Sequence, residues 1–321
     1  MDDEQRDRQR DEQGHGRGDE RDHERRAART GAPSPQRSMR ALGEYLRARR
    51  ALVRPEDLGF ADAGNRRVAG LRREEVAAAA GISSEYYLRL EQGRDHQPSE
   101  PVIAALTTAL RLDEHGAAHL RQLVHGRPPR PRQPDRTLSA AVLALVEHLG
   151  DVAVVVLDRN QDVLFANRAA RRLAPSMRPG ANRLVTLFDP ASTETPTDLR
   201  AARRSAVAAF RRDGVVDDPR FREIVGALSL DSADFRDVWA RHDVGPLLGG
   251  GLRVEVPPFG TLELRAQPFA VPDRAQTVVT ISGEPGSNAS AALAAFAVEG
   301  RTGGFGPAPD PRVRPAGDAT P

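Results

Sequence analysis

The sequence predicts two folded units in series, an all-α bundle followed by an α+β domain, flanked by segments without a core. Between Met39 and Val124 apolar residues recur at helical spacing, whereas beyond residue 137 β-branched runs such as Val152 to Leu157 take over. The stretch joining them, GRPPRPRQPDR from Gly126 to Arg136, is proline-rich and reads as a stiff, extended linker. The length, 321 residues, accommodates about two domains of ordinary size. The division expected is a charged arm over 1–38, a helical domain over 39–126, a linker over 127–136, a second domain over 137–285, and a short helix with a tail over 286–321.

Each element has a local reason. Residues 1–38 carry charges of both signs and almost no apolar residue before Met39, so they cannot bury enough surface to offset ordering, and disorder is predicted. Leu42, Tyr45 and Leu46 fall at i, i+3, i+4 and open the first helix. After a polar connection from Arg54 to Asn65, REEVAAAA stops at Gly81 and SSEYYLRLEQ stops at Gly93. Pro101 lies in the first turn of a fourth helix, VIAALTTALRL, and Leu120 and Val124 mark a fifth, giving a five-helix bundle. In the second domain, Val152 to Leu157, the turn Asp158 to Gln161, and Val163 to Ala166 form a hairpin. Asn167 is placed to cap NRAARRLA, amphipathic helices follow at about 197–213, 218–228 and 232–242, and strands run over 252–256, 261–267 and 277–282. From about Gly300 the chain is a Gly/Pro tail without periodicity, where disorder is again expected.

Composition removes several function classes. Cys 0 rules out disulfides, a thiolate nucleophile and Cys-ligated metal sites. No apolar run reaches the roughly 18 residues that span a bilayer, and the first residues do not resemble a signal peptide, so a cytoplasmic protein without membrane partners is expected, nucleoid-associated when bound to DNA. All 47 basic residues are arginine, which raises the pI without making the chain strongly cationic: the net charge is +2. Residues 39–126 hold 13 Arg against 12 acids, so a nucleic-acid footprint there must come from arrangement.

The stretch with a mechanism is GLRREEVAAAAGISSEYYLRLEQGR, residues 70–94. A helix-turn-helix needs a small residue where the helices cross, a glycine at the turn and apolar anchors on the second helix. Ala77, Gly81, Ile82, Tyr87 and Leu90 fill those slots. Ser84, Glu85, Tyr86 and Arg89 are then left outward, toward a major groove. Arg89 can pair two donors with guanine, Glu85 can accept from a cytosine amino group, and Ser84 and Tyr86 can touch phosphate or a thymine methyl. Arg72, Arg73 and Arg94 are placed for phosphates. Glycine-joined, alanine-rich helix pairs also occur in proteins that never touch DNA. The alternative is a protein-interaction module with a purely structural second domain.

The segment resembles the XRE-type helix-turn-helix regulators, in the subgroup with a C-terminal MmyB-type ligand-binding domain. The second domain carries VVVLDRNQDVLFANRAA, LVTLFDP, DDPRFREIVGALSLDSADFRDVWARHDV and GTLELRAQPF in that family's order. It departs from the family pattern at LVTLFDP, DLRAARRSAVAAF and GPLLGGGLRV. The resemblance implies a transcriptional regulator whose α+β domain is PAS-like and takes a small apolar ligand such as a fatty acid. Phe188, Phe235 and Trp239 are the expected pocket lining, with Arg241 and His242 for a carboxylate head group. Coupling between the domains is expected to run through the linker. A homodimer reading paired half-sites, double-stranded DNA as partner and no other cofactor complete the expectation.

No enzyme motif accompanies this. His115 and His119 lie four apart without a third ligand and HExxH is absent; Gly249 to Gly251 lacks the Lys and Ser/Thr of a phosphate loop; GxSxG is absent, and Ser229 and Ser232 have no spaced His/Asp partners. No catalytic or metal-binding residue is assigned.

Overall fold

The structure, a computed structural model, describes residues 35–60, 68–94, 97–126, 136–149, 152–174, 176–192, 195–271 and 274–298. The expected arm up to residue 34, most of the linker and the final tail lie outside these residues. The helical domain begins earlier than the apolar pattern suggests, with α1 spanning Pro35–Leu52. A single 3-10 turn, Pro55–Leu58, interrupts the polar connection. Then come α2 (Arg73–Ala80), α3 (Ser84–Gln92), α4 (Glu100–Ala109) and α5 (Glu114–His125). One core joins them: Leu42, Tyr45 and Leu46 of α1 pack with Val76, Ala77, Tyr87, Leu90, Ile103, Leu106 and Leu120, most of them fully buried. Helices α1 and α3 approach backbone to backbone, because a Cβ on Gly43 would lie only 2.4 Å from the Glu91 carbonyl oxygen.

The second domain adds a helix that periodicity did not reveal, α6 (Ala140–His148), before β1 (Ala153–Leu157) and β2 (Val163–Ala166). Helix α7 (Arg168–Leu173) is capped by Asn167, whose side chain accepts from the Ala170 amide at 2.9 Å. Four helices and a two-residue β3 (Thr195–Pro196) follow: α8 (Arg183–Phe188), α9 (Leu199–Asp213), α10 (Pro219–Asp231) and α11 (Ala233–Ala240). The chain closes with β4 (Gly250–Val256), β5 (Gly260–Val271), β6 (Gln276–Gly283) and α12 (Asn288–Val298). The sheet is antiparallel, in the order β2-β1-β6-β5-β4-β3.

Both faces of the sheet are covered. Ala153, Val155 and Leu157 meet α7 and α12 on one face, while Val154 and Val156 meet Val142 and Val146 of α6 on the other. That explains why β1 reads as an unbroken apolar run rather than an alternation. Ala292, Leu293 and Phe296 belong to the sheet core, so the domain extends through α12 and does not stop at residue 285. Helices α8 to α11 form a separate layer with an aromatic core of its own.

Candidate nucleic-acid interface

The turn between α2 and α3 is built as a glycine-terminated helix end followed by a capped start. Gly81 takes a left-handed φ of 65°, which spares it the Cβ clash another residue would meet there, and the Ile82 amide donates back to Ala77 at 3.0 Å. Ser83 then caps α3, its hydroxyl accepting from the Tyr86 amide at 3.1 Å. Ala77, Tyr87 and Leu90 are buried and Ile82 is half-buried against the same core. With those anchors inward, Ser84, Glu85 and Arg89 are exposed on the outer face, whereas Tyr86, expected outward with them, is half-buried against the helical core. Gln92 shares that face one turn after Arg89, exposed at the end of α3, and its amide can pair with adenine in the way arginine pairs with guanine.

Arg89 is loosely pre-oriented. Its guanidinium meets Glu85 at 3.3 Å and lies 5.9 Å from the centre of the Tyr86 ring. An exposed i, i+4 pair of this kind contributes only about 0.3–0.5 kcal/mol, so a base edge can displace Glu85 at little cost. Arg72 and Arg94 are exposed at either end of the motif. Arg73 differs from the expectation: its Nε donates to Glu91 at 2.7 Å, so it is tied into the fold and only its outer nitrogens face away from that bond.

Glu91 is the residue that sequence reasoning passed over. It belongs to α3, its side chain is wholly buried, and it accepts from Arg50 Nε at 2.6 Å and from Arg73. Burial alone would raise its pKa, but the two guanidiniums hold the carboxyl below the usual range. Three helices are thereby pinned at one carboxylate. A period count takes a glutamate near a helix end as solvated, so only the position of Arg50, 41 residues away, reveals its role.

In the second domain the expected pocket residues pack on one another. Phe235 stacks on Trp239 with centroids 5.5 Å apart and meets Phe188 edge-on at 5.3 Å. Their rings fill the helical layer, and a ligand there must open this packing. Arg241 and His242 do not join them: Arg241 bonds Asp243 at 2.9 Å, and His242 adopts a left-handed φ of 51° beside the helical domain. A small cavity of about 10 Å³, room for about one water, lies instead among Leu157, Asp158, Gln161, Ala209, Leu247 and Thr277.

Residues 41–120 match the model of a helix-turn-helix domain, and residues 138–296 match that of the MmyB-like transcription regulator ligand binding domain. The chain belongs with the helix-turn-helix transcription regulators that carry a C-terminal MmyB-like ligand-binding domain. The two matches together support a DNA-binding transcription regulator. Among solved structures, an RNA-binding light-oxygen-voltage receptor is 13% identical, the match covering 72% of this chain and 62% of that one with a TM-score of 0.20. The regulator thus spans less than two thirds of that receptor's length. No curated protein matches it. Among the described residues no helix is long and apolar enough to cross a membrane.

A second polar site lies in the second domain. The hairpin turn, Asp158 to Asp162, is not at the surface but buried under α9 and α10. Arg159 and Asn160 both bond Asp218, Gln161 donates to the Ala206 carbonyl, and Arg220 and Arg136 flank Asp162. Asp158 accepts from two backbone amides through Oδ1, while its buried Oδ2 meets no hydrogen-bond donor among the described residues. Burial, aided by the neighbouring charge of Asp162, pushes the Asp158 carboxyl up to about 6.

Proposed function

We propose that this regulator binds duplex DNA sequence-specifically, with α3 in the major groove and its transcriptional output modulated by a small apolar, fatty-acid-like ligand in the second domain. What carries the DNA reading is that Ser84, Glu85 and Arg89 stand exposed on a short helix whose opposite face is locked by Tyr87, Leu90 and the buried Glu91. Arg89 and Glu85, with Tyr86 beside them, are the base-reading set, and Gln92 extends it. Arg72 and Arg94 contact phosphates, and Arg73 contributes through its outer nitrogens while Glu91 fixes its stem. A single motif reads only a few base pairs, which favours a homodimer on paired half-sites. The protein acts in the cytoplasm, without catalysis and without a cofactor other than the ligand.

Fluorescence anisotropy with a labelled duplex from the regulator's own upstream region tests this. Arg89→Ala should lower specific affinity by about 1–3 kcal/mol and relax discrimination at the base it reads. Affinity should also fall steeply with salt, as phosphate neutralisation requires. Unchanged affinity and specificity in the variant would remove α3 from the groove. Native mass spectrometry of protein purified from cells tests the ligand: a lipid-sized adduct is expected, and protein carrying none after lipid titration would refute it.

A further inference from the structure

Helix α1 serves both domains. Leu42, Tyr45 and Leu46 build the helical core, and Arg50 holds Glu91 of the recognition helix. Its neighbour Arg49 donates through Nη1 to Asp243 Oδ1 at 2.6 Å, a partner 194 residues away in the second domain. Their side chains are only 20% and 14% exposed, which sets this pair apart from an ordinary surface bridge. Asp243 also accepts from Arg241 at 2.9 Å and from Arg204 at 3.3 Å, and its carbonyl accepts from Arg211. Burial would raise the pKa of Asp243, but Arg241, Arg49 and Arg204 hold it below the usual carboxylate range. Arg211 in turn donates to the Trp239 carbonyl at 2.6 Å and lies 3.9 Å over the Trp239 ring, which stacks on Phe235. A second contact between α1 and the second domain, Arg37 with Asp217 at 3.4 Å, is far more exposed.

These contacts make an unbroken series from the aromatic layer through Arg211, Asp243, Arg49 and Arg50 to Glu91. We propose that Asp243 is an interdomain clamp, through which the packing of the Phe235 and Trp239 layer sets the position of α1 and so of the recognition helix. The coupling therefore passes through this contact and not through the linker alone. His242, a non-glycine residue held at positive φ immediately before Asp243, marks the segment with a conformation its own backbone does not favour. Removing either partner leaves the other's charge buried, so a change on one side is felt on the other. The clamp's existence depends on neither the operator nor the ligand; its consequence for DNA rests on the DNA-binding function proposed above.

Hydrogen exchange read by mass spectrometry on the full chain tests it, comparing Asp243→Asn, Arg49→Gln, the double variant and, as control, Arg37→Gln. Exchange across 84–92 should rise about tenfold in each single variant, the double variant should add little, and Arg37→Gln should match the parent. Acceleration confined to residues 204–243, or fully additive effects, would overturn the proposal. Trp239, the chain's sole tryptophan, gives a second readout. Saturating duplex should shift its emission in the parent and leave it unmoved in Asp243→Asn, while the anisotropy of the labelled duplex still reports binding. Emission unmoved by bound duplex in the parent also defeats the clamp. A duplex that the parent does not bind defeats the DNA reading instead, and the exchange result then decides the clamp by itself.

Discussion

Glu91→Gln removes the charge that pins α1, α2 and α3 together while keeping the side chain's shape. In the parent, Glu91 accepts from Arg50 and Arg73, and the Arg50 side chain is only 13% exposed. Breaking a buried pair by removing one partner costs about 3–5 kcal/mol, and the half-exposed Arg73 places this case at about 3 kcal/mol. For a domain of this size each kcal/mol moves the melting temperature by about 4–8 °C, so the helical domain should melt about 12–24 °C lower, as followed by circular dichroism. The pH dependence supplies a second signature. The folded-state pKa of Glu91 is depressed, so its contribution is fully present above the unfolded value of about 4.3 and is lost as pH falls through the lower folded value. The parent should therefore lose stability on the acid side of about pH 4, and the variant should lack that part of the loss. A Glu91→Gln protein destabilised by less than about 1 kcal/mol would refute the assignment of Glu91 as the common anchor.

Two further perturbations follow from named contacts. Gly43→Ala places a Cβ 2.4 Å from the Glu91 carbonyl oxygen, so α1 must move off α3; an overpacking cost of about 1–3 kcal/mol is expected in chemical denaturation, with weaker DNA binding by anisotropy. Asp158→Asn should stabilise the second domain at pH 7 by up to about 3 kcal/mol, the equivalent of the raised pKa, because it removes a charge that burial and Asp162 oppose. The folded Asp158 holds its proton more tightly than the unfolded one, so the parent's stability falls as pH rises from about 4 to about 6, and the Asn variant should not show that fall.

Local patterns carried the helix-turn-helix. Gly81, the residue types at Ala77, Tyr87 and Leu90, and the exposed remainder at Ser84, Glu85 and Arg89 all follow from 3.6-residue spacing and one glycine, information contained within 25 residues of chain. Five strands of the second domain were legible from local pattern as well: β2 has the expected bounds, β1 starts one residue later, and β4, β5 and β6 extend one to four residues beyond them, whereas the two-residue β3 was not anticipated. Helices α6 and α8 were not legible: AAVLALVEH is apolar over most of its length, so its buried pair Val142 and Val146 does not stand out as a stripe, and RLVTLF mixes β-branched residues into less than two turns.

By itself, then, the sequence determined the helix-turn-helix, the periods of its helices and of the longer strand runs, and most of the outer face of α3, because those depend on neighbours a few residues apart. Tertiary structure decided where the charges and rings go. The polar turn at 158–162 is buried under α9 and α10; Phe235, expected to line a pocket with Phe188 and Trp239, packs against both; Arg73, placed for phosphate, is tied to Glu91. For the charges the deciding partner is remote in the chain: Asp218 for Arg159, Arg50 for Glu91, Asp243 for Arg49. The burial that makes a charge pair strong is a property of the assembled layers, and no periodicity in one segment encodes the layer that will cover it.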